Sequence, residues 1–341
     1  MHLFTILKNA LLSRYFRLIL SASLIGLLVS WVDLDAFVSA LTNADPFYLL
    51  GAAILMSISR ILMPLKWNLL LRSQNQQLSW KDSINIYYIS AFFGIFLPAT
   101  VGGDALRSLY TKQRGIELKD TLASIVVERL LGALTTMAFG IFGGILFILY
   151  FSGDKQSDFQ TLIIVASILL VFLLATFYFT LSKPFGQFVE TITRKLNQRK
   201  ILPKISEKLL DLYQAYVLYR QQKKALFIFA LLTLIETALP AVWSWLIALA
   251  IGIESVDIIY FCAFVPLILL ITRLPISIDG FGLNEGAYVY FLSLVGVSTA
   301  AGFSIGLISH ILFLACMSPG ALIYLCSGKS FPKPSSTSTH L

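Results

Sequence analysis

The sequence predicts an all-α integral membrane protein with about six spanning helices and two re-entrant helical hairpins arranged as an inverted repeat. Three observations predict it. Of 341 residues, 57% are hydrophobic and 13% are charged, whereas a soluble domain carries about a quarter charged residues. Apolar runs recur between residues 18 and 325. A spanning helix needs ~20 such residues, because its backbone must satisfy its own hydrogen bonds across ~30 Å of hydrocarbon. The bases and the acids fall in different short stretches between those runs.

The first run is 18–32, preceded by Lys8, Arg14 and Arg17. Such a start resembles a signal peptide, with Val38-Ser39-Ala40 as a faint cleavage pattern. Asp33 and Asp35 crowd that region, so a retained first helix is expected. Helix two covers 47–65, helix three 121–151, helix four 161–181, helix five 225–253 and the last helix 301–325. Two shorter apolar stretches, 84–97 and 258–271, are followed by polar breaks, and 284–297 is a polar-studded return. Residues 1–330 read as one polytopic domain, and 331–341 as a polar tail.

Charge decides between topologies. If the six long helices span and the short stretches dip in and return, the outer loops hold Asp33, Asp35, Asp45, Asp154, Asp158, Glu254 and Asp257 against Lys155. The inner loops then hold nearly all the bases, ten against three acids within 183–224, and both termini are cytoplasmic. If the short stretches also span, that basic loop faces outward, which the positive-inside rule opposes. Within this loop, 194–208 reads as a plain positive-inside segment or as an interfacial amphipathic one touching anionic lipid.

The two breaks are alike. The first is Leu97-Pro98-Ala99-Thr100-Val101-Gly102-Gly103-Asp104; the second is Leu274-Pro275-Ile276-Ser277-Ile278-Asp279-Gly280-Phe281-Gly282. Proline stops a helix and glycine permits a tight turn. Two such breaks entered from opposite faces suggest the inverted-topology repeat of transporters.

Eight charged residues remain at membrane depth: Arg60, Asp104, Glu128, Arg129, Glu236, Arg273, Asp279 and Glu285, with Arg107 at the exit of the first hairpin. A charge at the bilayer centre costs ~3 kcal/mol on insertion scales, so each needs a partner or a wet cavity. The bland reading is that they pair with one another and lock the bundle. Arg60 is expected to snorkel, and Lys66-Trp67 to be an interfacial anchor. Glu236, four residues before Pro240, needs an arginine or water. Glu128 and Arg129 are adjacent on a helix, point ~100° apart and need separate partners. His310 reads as a satisfied core histidine. Ser124, Glu128, Gly132, Thr136, Gly140 and Gly144 recur every four residues, which suits close helix packing. Arginines near the turns and the half-helix N-termini suit an anionic head group.

Other classes find no support. The net charge of +8 is spread between apolar runs, so nucleic acid is not an expected partner. Cys262, Cys316 and Cys326 lie in apolar runs without metal spacing. There is no phosphate-cradling Gly-x-x-x-x-Gly-Lys loop, zinc-binding His-Glu-x-x-His or serine elbow. No cofactor, no metal and no catalytic activity are expected.

Phe96-Leu97-Pro98 with Gly102-Gly103-Asp104 and Arg107, Ser124 with Glu128-Arg129 and Gly132, then Pro275, Ser277, Gly280, Gly282 and Glu285 together resemble a known family. It is the transmembrane flippase-like domain of lysylphosphatidylglycerol synthases and its free-standing relatives. The resemblance runs over roughly 18–325. It implies a bacterial or archaeal inner-membrane protein with re-entrant helices that moves a lipid between leaflets. The fused synthases continue into a soluble aminoacyl transferase. This chain ends at Leu341, so lysyl transfer from tRNA is not expected. Membrane lipids are the implied partners. The alternative function is a non-transporting anchor or accessory subunit for a lipid- or glycan-modifying enzyme. Asp104, Arg107, Glu128, Arg129, Arg273 and Glu285 are the candidate head-group residues. Pro98, Gly102, Gly103, Pro275, Ser277, Gly280 and Gly282 are the turn residues, and Glu236 is the buried charge.

Overall fold

A computed structural model describes residues 38–39, 42–95, 101–150, 156–198, 203–273, 277 and 279–326. Residues 18–32, Pro98 and Pro275 lie outside the described residues. Among the described residues every regular element is helical. The helices are α1 (Pro46–Ser73), α2 (Trp80–Ile95), α3 (Val101–Gln113), α4 (Leu118–Tyr150), α5 (Gln156–Thr180), α6 (Lys183–Gln198), α7 (Pro203–Val217), α8 (Lys223–Ala250), α9 (Ile258–Thr272), α10 (Leu283–Ser293), α11 (Thr299–Met317) and α12 (Pro319–Cys326). A 3-10 turn, Leu218–Gln221, joins α7 to α8.

Among the described residues five spans are long and apolar enough to cross a membrane: α1, α4, α5, α8 and the pair α11–α12. The first of the six expected, 18–32, lies outside the described residues. Where a single last helix was expected, the helix is interrupted at Ser318, just before Pro319, which has no N–H for the helical ladder.

The two ends of the bundle differ in charge. At one end, Asp45 N–H donates to the Ala250 carbonyl at 2.8 Å, tying the start of α1 to the end of α8. Asp257 caps α9 at that end through the Ile259 N–H, 3.1 Å. At the other end, Tyr219 Oη donates to the Leu70 carbonyl (3.2 Å), and Gln76 Nε2 to Asp120 (2.6 Å). Arg72, Lys119, Arg220, Lys223 and Lys224 belong to this basic end.

Both short stretches turn back. Helix α2 has 16 residues and α9 has 15, so at 1.5 Å per residue neither reaches across ~30 Å. Asp82 in the first turn of α2 and Arg114 after α3 form a 2.8 Å ion pair that closes the mouth of the first hairpin at the basic end. Helix α9 starts at the acidic end, and α10 returns to it beside α11. The chain therefore runs twice through one order: long helix with an internal proline, hairpin, long span. Pro64 breaks α1 and Pro240 breaks α8, each helix having 28 residues. The second copy runs in the opposite direction, the inverted arrangement expected.

Each hairpin packs on the long span of the other copy. Helix α9 lies on α4, where a Cβ at Gly140 would meet Pro266 Cβ at 3.1 Å and one at Gly143 would run into the Cys262 carbonyl. Helix α12 lies on α2, where a Cβ at Gly320 would run into the Tyr88 carbonyl. Part of the small-residue stripe does this work. Gly132 faces open space, and Gly143, one position off the stripe, makes the closest approach. Gly143→Ala is expected to force α9 off α4 and to cost about 3 kcal/mol, the upper end of overpacking. Thermal unfolding in detergent reads this, with Gly132→Ala as the neutral comparison.

The basic stretch 183–224 is two amphipathic helices and a 3-10 turn, not a plain loop. Phe185 of α6 packs on Tyr213 of α7 with centroids 5.7 Å apart. Tyr213 Oη donates to the Thr180 carbonyl at 3.1 Å, holding the pair against the end of α5.

Candidate functional site

The first network forms where α3 returns from the tip of the first hairpin. Arg107 Nη1 sits 2.8 Å from Glu128 of α4, and Nη2 sits 3.1 Å from Asp104 one turn earlier on α3. Arg129 of α4 closes on Asp104 at 2.8 Å. Glu128 and Arg129 thus take separate partners, as adjacent helical residues must. The Arg107 side chain is 4% exposed. Its guanidinium lies between two aromatic faces, 4.7 Å from the Trp67 centroid and 5.1 Å from that of Tyr87. Trp67 Nε1 donates to Ser124 Oγ (3.0 Å), and Tyr87 Oη to Glu128 (3.4 Å). A desolvated guanidinium gains most from an aromatic face. Trp67 is therefore the floor of this network and not an interfacial anchor. Arg129 is different: its side chain is 47% exposed.

The second network crosses from α1 to α8. Lys66 Nζ reaches Glu236 at 3.1 Å, and Arg60 reaches it at 3.8 Å. Lys66, expected at the interface, is a buried partner that also donates to Thr233 Oγ1 at 3.2 Å. Arg60, expected to snorkel, turns inward over Phe313, 5.3 Å from its centroid. Arg60 and Glu236 each sit four residues before a proline. Their carbonyls lose the i+4 N–H partner, so polar side chains meet broken backbone near the middle of both helices. Glu236 lies about 20 Å along α8 from Lys223, from 1.5 Å per residue.

Arg273 ends α9 at the tip of the second hairpin. It is exposed, and no carboxylate of the described residues lies within ion-pair distance. It is within electrostatic range of Glu236 in the second network and of Arg129 and Glu128 in the first.

Glu285 stands in a third group. Its Oε2 accepts the Gly282 N–H at 2.7 Å, a capping box at the start of α10, and its Oε1 lies 3.0 Å from His310 Nδ1. His310 Nε2 lies 3.7 Å from Asp279 and the ring stacks on Phe281 at 3.8 Å. Asp279, Gly280 and Gly282 have φ of 50°, 80° and 80°. The last two therefore need glycine, as the turn predicted. Ser277 is buried beside them. In the first hairpin the glycines act otherwise. Gly102 and Gly103 are already in α3, and Gly103 lets the arms touch: a Cβ there would meet the Ser90 carbonyl at 3.0 Å.

The structure thus joins Asp104, Arg107, Glu128 and Arg129, places Arg273 within their field, and sets Glu285 in a separate cluster. Sequence reasoning missed Tyr87, which sits in an apolar stretch with no local signal. It misassigned Lys66 and Trp67, although Lys66 so close to Arg60 in an apolar helix was a usable cue.

A family model described as the lysylphosphatidylglycerol synthase TM region matches residues 15–320. The chain belongs to this family. Two relatives are UPF0104 membrane proteins. That of Pyrococcus horikoshii is 21% identical over 317 residues, 88% of this chain and 93% of its own. That of Methanocaldococcus jannaschii is 21% identical over 308 residues, 86% and 88% respectively. No solved structure matches. The family anticipated from the Gly102-Gly103-Asp104, Glu128-Arg129 and Gly280–Glu285 motifs is the one found.

Proposed function

We propose that this family member binds the head group of a polar phospholipid at the hairpin tips and moves that lipid between leaflets. The observation that carries the reading is the charged network that joins Asp104 and Arg107 of a re-entrant hairpin to Glu128 and Arg129 of the spanning helix α4. Inside a membrane such groups are costly and mark pathways for polar cargo. Arg129 and Arg273 are the exposed cations of the group and take the phosphate. Asp104, Arg107 and Glu128 hold them and exchange partners as the head group passes. Arg60 Nε and Arg107 Nε are buried without an acceptor among the described residues, which leaves donors for a polar group or water. Glu285 holds the second turn, with both its oxygens already engaged. The hairpins entering from opposite ends match the architecture in which alternating access is achieved by moving one repeat against the other.

The test is lipid translocation by the purified protein in liposomes with varied head groups. Transfer is expected. No transfer of any lipid would favour an accessory anchor, and chemically altered lipid would reveal an enzyme. Arg129→Gln should slow transfer roughly 10-fold or more, the worth of one charge-assisted hydrogen bond, with little loss of stability because the side chain is half exposed. An unchanged rate would remove Arg129 from the site.

The basic end is proposed to face the cytoplasm. In a background lacking Cys262, Cys316 and Cys326, single cysteines at Lys112 and Gln198 are expected to react only with reagent on the cytoplasmic side. Labelling of either from outside would reverse the orientation.

A further inference from the structure

Among the described spans α5 is the least buried, with none of its apolar 18-residue window buried. Its last turns and the start of α8 wall a groove of about 560 Å³ at the basic end, away from the charged networks. The floor is apolar: Phe177 and Leu181 belong to a buried core cluster, and Leu226 packs against it. The mouth is cationic, with Arg220 and Lys223 both exposed. Arg220 makes a long hydrogen bond, 3.4 Å, from Nη1 to the Leu181 carbonyl. No carboxylate of the described residues lies within ion-pair distance of either cation.

These features select one occupant. A small soluble anion would bind the two cations but has no use for an apolar floor. A neutral hydrocarbon would fill the floor but leave the cations unanswered. The volume is that of a cleft for a small organic ligand, far more than a phosphate fills. The groove lies beside α5, whose apolar residues are exposed among the described residues, at the level where apolar residues give way to bases. Basic residues at that level attract anionic lipid. We infer that this groove binds an anionic phospholipid, its phosphate between Arg220 and Lys223 and an acyl chain along Phe177, Leu181 and Leu226. The site is separate from the proposed transport path and does not depend on it.

The experiment is native mass spectrometry of the full chain in detergent, titrated with phosphatidylglycerol or phosphatidylcholine. Phosphatidylglycerol is expected to bind more tightly, with a preference that falls as salt rises, since exposed charges are screened. Each cation near a membrane surface is worth about fivefold, so Arg220→Gln with Lys223→Gln should weaken phosphatidylglycerol binding ~30-fold and phosphatidylcholine, whose choline already offsets its phosphate, much less, so that the preference is lost. Leu226→Trp, which fills the floor, should weaken both lipids without altering charge. Equal binding of the two lipids by the unmodified protein would overturn the assignment. So would a double variant that keeps the preference, or a preference lost on Arg194→Gln with Lys195→Gln, which would place the lipid on α6. If the double variant does not fold, Leu226→Trp decides: undiminished phosphatidylglycerol binding overturns the groove.

Discussion

Arg107→Gln is expected to destabilise the protein by about 3–5 kcal/mol, the cost of leaving buried charges without their partner. One guanidinium answers both Asp104 and Glu128, at 3.1 and 2.8 Å, while only 4% of its side chain meets solvent. After the change Asp104 keeps Arg129, but Glu128 keeps only the Tyr87 hydroxyl. Lysine should rescue poorly, because one ammonium does not span two carboxylates and stacks less well between Trp67 and Tyr87. Adding Glu128→Gln to Arg107→Gln should recover part of the loss, since the pair is coupled. Denaturant or thermal unfolding in detergent measures this. A single variant as stable as the parent would mean that water already solvates the network.

The second large effect is expected at Glu236. Glu236→Gln leaves Lys66, 3% exposed, and Arg60, 14% exposed, facing each other without a counter-charge. The loss should be about 3 kcal/mol, the low end for a broken buried pair. Lys66→Met in the same chain should restore most of it, by removing the charge left behind and filling the space with an apolar chain. If the double variant is no more stable than Glu236→Gln alone, Arg60 or Arg273 is the dominant partner of the carboxylate.

Both expectations rest on which groups meet. The order of elements was legible in the sequence. Helices near 47–65, 121–151, 161–181 and 225–253 are found within several residues of those bounds. The hairpins were legible because two apolar stretches were too short to span and a basic loop had to stay on one side. The family was legible from glycines and charges at fixed spacing. The candidate site was legible only in part. Glu128 and Arg129 were predicted to need separate partners, since that follows from 100° per residue within one helix.

Sequence by itself determined that this protein lies in a membrane, that two apolar stretches are too short to span it, and which charges sit at depth. Hydropathy, charge and backbone permissiveness are properties of residues in chain order, so counting along the chain recovers them. Only the tertiary structure decided that Lys66 answers Glu236, that Trp67 and Tyr87 enclose Arg107, that Glu285 caps a turn beside His310, and that Gly143 receives Cys262. Those outcomes depend on the rotation and depth at which helices distant in sequence face one another. The electrostatic worth of a charge falls with distance and rises with desolvation, and both are fixed by packing across the bundle rather than by neighbours along the chain.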